Sequence, residues 1–265
     1  MVRPPDVAPS VIPMELKGNT VFITGGTSGI GKGLAEAFHR LGNRVVIAGR
    51  RQDALERVCA ANPGMSSLVM DVTDRDSIRR VAAEATTRFP DLNVIINNAG
   101  AQRAQDFASD QPFDDAAMLD EVNTNLVGLI RCCGAFIPHL RRVPRATIVN
   151  VSSGLAFVPL ARFPVYCATK AAVHSFALSL RHQLRETGIR VIELIPPYVA
   201  TDLDRTTRET KPRDGPPPMP LADFIAEAMK ELVSGGDELA VAGAKWLRSA
   251  GTNEQGPQVF ARLNG

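Results

Sequence analysis

Tyr166 and Lys170, in the stretch YCATK, carry the first chemical signal. Four residues apart on a helix, the two side chains would share one face, about 6 Å apart along the axis. A free tyrosine titrates at about 10, and an ammonium beside it stabilises the phenolate. Bringing the phenol to about 7 takes roughly 4 kcal/mol of differential stabilisation, which two nearby cations in a partly desolvated site can supply. The product is a general acid able to protonate an alkoxide as it develops. Taken alone, a Tyr–Lys pair at this spacing is more often a coincidence of the helix surface. The chain has only two tyrosines, so the pair gains weight when a second signal accompanies it.

That signal lies upstream, in VFITGGTSGIGKG, where five of the thirteen residues from Val21 to Gly33 are glycine. VFIT reads as a strand and IGKGLAEAFHRLG as a helix, so the glycines fall in the strand-to-helix turn. There they permit positive φ and close backbone approach. The helix N-terminus adds free N–H groups and a partial positive charge, which suits a pyrophosphate. The spacing is Thr24-Gly25, then Gly29 and Gly31, rather than GxGxxG, and a tight structural turn is the plain alternative. Its place at the head of a series of βα units favours dinucleotide binding. An oxidised nicotinamide would also provide the second cation beside Tyr166.

Six Val- and Ile-rich runs could position these groups: TVFIT (20–24), RVVIAG (44–49), SLVM (67–70), NVIIN (93–97), ATIVNVS (146–152) and IRVIELI (189–195). They are short and nearly continuous in hydrophobicity, as strands buried on both faces should be. Helical periodicity fills the gaps. Ile30, Leu34, Ala37, Phe38 and Leu41 mark one face, and 54–62, 76–89 and 118–140 follow the same period. The alternation predicts an α/β fold: a single Rossmann-type domain with a doubly wound, mostly parallel sheet of about seven strands and helices on both faces. Residues 1–14 read as a flexible or loosely docked tail and 15–265 as the catalytic domain. The proline-rich run 210–220 cannot be a helix or central strand, and 202–221 is expected to form a substrate loop or lid.

Composition excludes several classes. Hydrophobic residues make up 45% of the 265 and charged residues 22%, so the chain can bury a large core. A net charge of +2 gives no basic field for nucleic acid. No apolar run approaches the roughly 20 residues of a membrane span, and the N-terminus has no signal-peptide core. Cys59, Cys132, Cys133 and Cys167 read as free thiols, which points to the cytoplasm. His39, His139, His174 and His182 show no metal-ligand spacing and read as surface or core histidines; no metal is expected.

Several motifs together resemble the classical short-chain dehydrogenase/reductases, from about Leu16 into the 230s. They are TGGTSGIG, VMDVTD, NNAG (97–100), NTNLVG, IVNVSS and YCATK. The resemblance implies a catalytic set of Asn125, Ser153, Tyr166 and Lys170. Tyr166 would exchange the proton, and Lys170 would lower its pKa and hold the nicotinamide ribose. Ser153 would hydrogen-bond the substrate carbonyl, and Asn125 would anchor a relay water. Ser153 stands thirteen positions before Tyr166, the family interval, which leaves Ser152 as a structural hydroxyl. For the cofactor, the resemblance implies Gly25, Thr27, Ser28, Gly29 and Ile30 at the glycine loop, and Asp71 and Val72 near adenine. Asn98, Ala99 and Gly100 would follow strand four, with Pro196, Val199 and Thr201 near the nicotinamide and Tyr166 and Lys170 again at the ribose. Pro196-Pro197 departs from the family's Pro-Gly, and Glu193-Leu-Ile-Pro-Pro resembles a bacterial subgroup labelled as oxidoreductases of D-alanine esterification.

The second strand ends in Gly49, Arg50 and Arg51, with no Asp or Glu to accept from the ribose hydroxyls. An arginine fork suits a phosphate, so NADP(H) is expected over NAD(H). Selectivity would rest mainly on Arg50, with Arg51 as the alternate or as a solvated charge, because Ser28 stands where many relatives carry a second basic residue. Asp53, followed by Glu56, reads as a helix N-cap rather than the missing acid. Phe157, Val158 and Leu160 offer either an apolar substrate wall, suited to a hydrophobic ketone, or core packing. Apolar residues beyond one stripe on 114–140 and 164–187, among them Leu126, Leu129, Ile130, Phe136, Phe176, Leu178 and Leu180, predict a homodimer or homotetramer. The expected function is NADP(H)-dependent hydride transfer between nicotinamide and a small-molecule ketone, aldehyde or alcohol, with no nucleic-acid or membrane partner. The alternative is a dinucleotide-binding regulatory or scaffold protein, which would be expected to have lost Tyr, Lys or Ser.

Overall fold

The apolar runs pair into one parallel sheet in a computed structural model that describes residues 13–204 and 217–264. The strands are β1 Thr20–Thr24, β2 Arg44–Gly49, β3 Ser66–Val69, β4 Leu92–Asn97, β5 Thr147–Val151, β6 Arg190–Ile195 and β7 Glu238–Ala240. Their order is β3-β2-β1-β4-β5-β6-β7, and every neighbouring pair is parallel. Six agree with the expected runs to within a residue or so at each end. The seventh, β7, has only three residues, too few for a periodic signal.

The helices are α1 Gly29–Arg40, α2 Gln52–Ala61, α3 Arg75–Arg88, α4 Asp115–Val122, α5 Gly128–Leu140, α6 Pro164–Leu184, α7 Leu221–Leu232, α8 Gly243–Gly251 and α9 Gly256–Asn264. Alternate strand residues feed two layers, as period-2 geometry requires. Val21, Ile23, Val45 and Ile47 pack under Leu34 and Phe38 of α1, Leu55 of α2 and Phe224 of α7. Phe22, Val46, Ile95 and Ile148 pack under Ile78 of α3, Phe136 of α5 and Val173 of α6. Crossovers run to opposite sides of β1 and β4, and the crevice at their carboxyl ends is the switch point where such sheets take ligands.

Three local expectations change. The helical period over 118–140 is not one α-helix, because a π-helical turn, Asn123–Val127, joins α4 to α5. Asp53 is not an N-cap: α2 begins earlier, with Arg51 at the cap, and Asp53 sits in the first turn paired to Arg57 at 2.8 Å. A carboxylate there is favoured by the helix dipole without capping anything. Most of the apolar residues expected to face a partner belong to the core. Leu129, Phe136 and Leu180 are buried, Leu126 and Phe176 pack against them, and Ile130 and Leu178 are exposed.

Most of the expected tail lies outside the described residues. Met14 at its end is buried, and its N–H donates to Leu232 O at 3.2 Å. Residues 205–216 of the expected lid also lie outside them. The ends of that segment border the switch point, where Val199 bridges to Met219. Among the described residues no helix is long and apolar enough to cross a membrane.

Candidate active site

The turn after β1 has a conformation that only small residues allow. Gly25 and Gly29 take φ of +68° and +51°. A Cβ on Gly25 would come within 2.9 Å of the Ala99 backbone, and one on Gly31 would drive into Asn98 Nδ2 and the Gly25 carbonyl. The turn is therefore packed directly on the end of β4. Thr24 Oγ1 accepts from the N–H groups of Asn98 and Ala99, each at 3.0 Å, and Asn98 Nδ2 donates back to Thr24 O at 3.0 Å. These bonds fix the loop so that Gly29 and Ile30, at the start of α1, line the crevice.

The crevice opens into a cavity of about 1400 Å³. Gly25, Thr27, Ser28, Gly29 and Ile30 line one end, with Arg50 and Arg51 beside them. Asp71, Val72, Asn98, Ala99, Gly100, Pro196, Val199 and Thr201 continue the lining, and Ser153, Tyr166 and Lys170 follow. Asp71 is oriented locally, its Oδ1 accepting from the Thr73 N–H and hydroxyl at 2.8 Å each. Both arginines are exposed, whereas Asp53 does not line the cavity and is held by Arg57. The cradle fits a dinucleotide: a glycine turn without Cβ atoms, a helix N-terminus for the pyrophosphate, and cations at the end of β2.

Ser153 caps the short turn Gly154–Ala156, accepting from Leu155 N at 3.1 Å. The Gly154 N–H donates to Pro196 O at 2.9 Å, so the β5 and β6 exits are tied together despite the Pro196-Pro197 pair. Tyr166 and Lys170 lie one turn apart on α6, and Lys170 Nζ stands 5.6 Å from the centre of the Tyr166 ring. Lys170 Nζ also donates to Val151 O at 2.9 Å.

Burial pushes the Tyr166 phenol above the ordinary tyrosine range, against a hydrogen bond with Ser153 that pulls it down; Cys167 and Glu121 add to the upward push. Burial also brings Lys170 down to about 8, opposed by Glu193. The expected lowering of the phenol draws on Lys170 together with an oxidised nicotinamide, whereas in the protein alone burial is the largest influence. That burial favours the protonated phenol.

Asn125 differs from the other expected residues in not lining the cavity. Its side chain is fully buried in the π-helical turn. Oδ1 accepts from Ala101 N at 2.8 Å, and Nδ2 donates to Ala101 O at 2.9 Å and Thr169 Oγ1 at 3.1 Å. It fixes the loop after β4 to α6 from behind the wall. Of the expected apolar wall only Leu160 faces the cavity. Val158 is buried against Ala250 and Val259, and Phe157 packs on His174 and Ala244.

Sequence reasoning missed most of the apolar end of the cavity, where Leu155, Trp246, Leu247 and Leu263 join Leu160, with Arg162 and Arg262. They come from α8, α9 and the loop before α6, elements with no chemical motif to mark them. It also missed that His174 and Glu193 meet, with Nδ1 2.7 Å from Oε2.

The profile of the family described as short chain dehydrogenase matches residues 19–212. The DltE protein of Bacillus subtilis strain 168, named an uncharacterized oxidoreductase, is 45% identical over 198 residues, 74% of this chain and 77% of that one. The NADP-dependent 3-hydroxy acid dehydrogenase of Schizosaccharomyces pombe is 32% identical over 194 residues, 71% and 74% of the two chains. Among solved structures, a short chain dehydrogenase from Burkholderia cenocepacia J2315 in complex with NADP superposes with a TM-score of 0.81. It covers 94% of this chain and 99% of its own at 27% identity.

Proposed function

Since this chain belongs to the short-chain dehydrogenase family and is a nicotinamide-dependent oxidoreductase, we propose that it is an NADP(H)-dependent reductase of ketones or aldehydes, acting in reverse on the matching alcohols. One observation carries the reading: Ser153, Tyr166 and Lys170 stand on the wall of the same cavity that holds the glycine turn.

Tyr166 gives its phenolic proton to the carbonyl oxygen as charge develops there. The Ser153 hydroxyl hydrogen-bonds that oxygen and orients Tyr166. Lys170 holds the ribose and stabilises the phenolate left behind. Asn125 positions the loop and Thr169 behind them, and a relay water would meet its backbone rather than its occupied side chain. The glycine turn, Thr201 and Lys170 would hold NADPH, whose chemistry when bound would be hydride donation. The apolar side chains at the far end favour a carbonyl compound with an apolar body.

The preference for NADP(H) is supported by Arg50 and Arg51 lining the cavity and by the engagement of Asp53 with Arg57. Losing one charge-assisted contact costs about 1.5–3 kcal/mol. Arg50→Ala should therefore weaken NADPH about 10- to 150-fold and leave NADH nearly unchanged, as read by cofactor fluorescence titration. Tighter binding of NADH than NADPH by the unaltered protein would sink this assignment.

A homodimer or homotetramer is supported by exposed Ile130 on α5 and Leu178 on α6, at 39% and 43% exposure. Light scattering should give a mass of two or four chains, and Leu178→Glu should lower it. A monomer at micromolar concentration would count against self-association.

A further inference from the structure

Behind the wall that carries Lys170, a carboxylate is held entirely out of water. Glu193, in the middle of β6, is fully buried. Its Oε1 accepts from the Ser152 hydroxyl at 2.5 Å, and its Oε2 lies 2.7 Å from His174 Nδ1. Removing a carboxylate from water costs several kcal/mol unless hydrogen bonds and an opposite charge compensate. The two partners satisfy its oxygens, and the Ser152 hydroxyl brings no charge.

A buried cation, Lys170, lies one helical turn from His174. Lys170 and His174 lie four residues apart on α6, which sets them on one face above β5 and β6. His174 reaches one oxygen of Glu193. Lys170 Nζ donates to Val151 O, and the next residue, Ser152, reaches the other oxygen. Burial is the main influence lowering Lys170, and Glu193 is the group that opposes it.

The remaining charges nearby are otherwise engaged. On β7, Glu238 sits beside Glu193 in register but pairs with Arg248 at 2.5 Å and Arg181 at 3.7 Å. Asp237, whose carbonyl takes the Glu193 N–H, pairs with Arg190 at 3.1 Å and Arg181 at 3.7 Å. On the same wall burial pushes Tyr166 of α6 and buried Glu121 of α4 towards their neutral forms, and the Cys167 thiol lies beside Tyr166.

We propose that Glu193, clamped by Ser152 and His174, is the fixed counter-charge of Lys170 and keeps its ammonium charged inside the buried wall. It is a positioning residue, acting through Lys170. The pairing rests on the buried cluster that Lys170, Val151, Ser152, His174 and Glu193 form together, and its consequence for cofactor binding rests on the role given to Lys170 above.

The chain has six lysines, so the full-length protein labelled with 13Cε-lysine gives a spectrum in which Lys170 is identified by its loss in Lys170→Met. In the unaltered protein its titration midpoint should fall at about 8. Glu193→Gln, nearly isosteric, should lower that midpoint by about one pH unit or more, a tenfold or greater loss of proton affinity. Glu193→Asp, which keeps the charge, should retain a midpoint above that of the Gln variant. An unchanged midpoint in folded Glu193→Gln overturns the proposal. Should that variant fail to fold, Lys170→Met carries the reciprocal test, because coupling between two sites acts equally on both. The Glu193 carboxyl, followed by its 13Cδ shift, must then titrate at higher pH than in the unaltered protein, and an unmoved titration overturns the proposal. NADPH affinity of Glu193→Gln separates the two levels. A lowered Lys170 midpoint with undiminished NADPH binding upholds the counter-charge and removes the ribose contact of Lys170.

Discussion

Tyr166→Phe is expected to lower turnover at least about 100-fold while NADPH still binds, the usual scale of general acid catalysis. The argument rests on protonation and place. Burial favours the protonated phenol, and its hydrogen bond with Ser153 comes from the residue placed at the same carbonyl oxygen. Phenylalanine keeps the ring that packs with Leu160, Phe163 and Cys167, so the fold should survive the change. Only the transferable proton is lost. Single-turnover kinetics with bound NADPH would measure this loss directly, and a near-normal rate would remove Tyr166 from the chemical step.

Lys170→Met should damage two quantities together. Turnover should fall about 100-fold, because the phenolate left behind loses its neighbouring cation, and NADPH affinity should fall about tenfold or more. A loss confined to one of them would break the double assignment. Stability should move the other way with a defined pH dependence. Lys170 titrates at about 8 in the folded protein and at about 10.4 when unfolded. Between those values the unfolded chain binds more protons, so this group makes the protein more stable as pH rises through the window and costs stability below it. Methionine carries no such cost. At neutral pH Lys170→Met should gain on the order of 1–3 kcal/mol from this source, reduced by loss of the bond to Val151 O. The gain should vanish above about pH 10. Thermal unfolding of both proteins across pH 7–10.5 would show whether the curves converge.

Sequence patterns reached the fold because a parallel sheet covered on both faces leaves continuous Val and Ile runs, as β1, β2, β4, β5 and β6 do. They located the glycine turn and the Tyr166–Lys170 pair because each acts within one element, where spacing is geometry. They did not separate α4 from α5, since a single π-helical turn at Asn125 barely disturbs the apolar period. They misplaced Asp53 because a capping residue and a first-turn acid look alike without the dihedral angles. The substrate wall escaped because whether Phe157, Val158 or Leu160 faces the cavity depends on α8 and α9, which pack there from far along the chain. Glu193 and His174 escaped for the same reason: Ser152, His174 and Glu193 belong to the β5 exit, α6 and β6, and only the folded register brings them together.

The most direct test follows the hydride. NADPH bearing deuterium at its reactive ring carbon would be offered with a panel of ketones and aldehydes, and the alcohols formed would be analysed for label. The account predicts deuterium on the carbinol carbon of at least one apolar product, with faster transfer from NADPH than from NADH and a rate at least about 100-fold lower in Tyr166→Phe. Label passing at the full rate in Tyr166→Phe, or to no carbonyl compound while NADPH is bound, would contradict it.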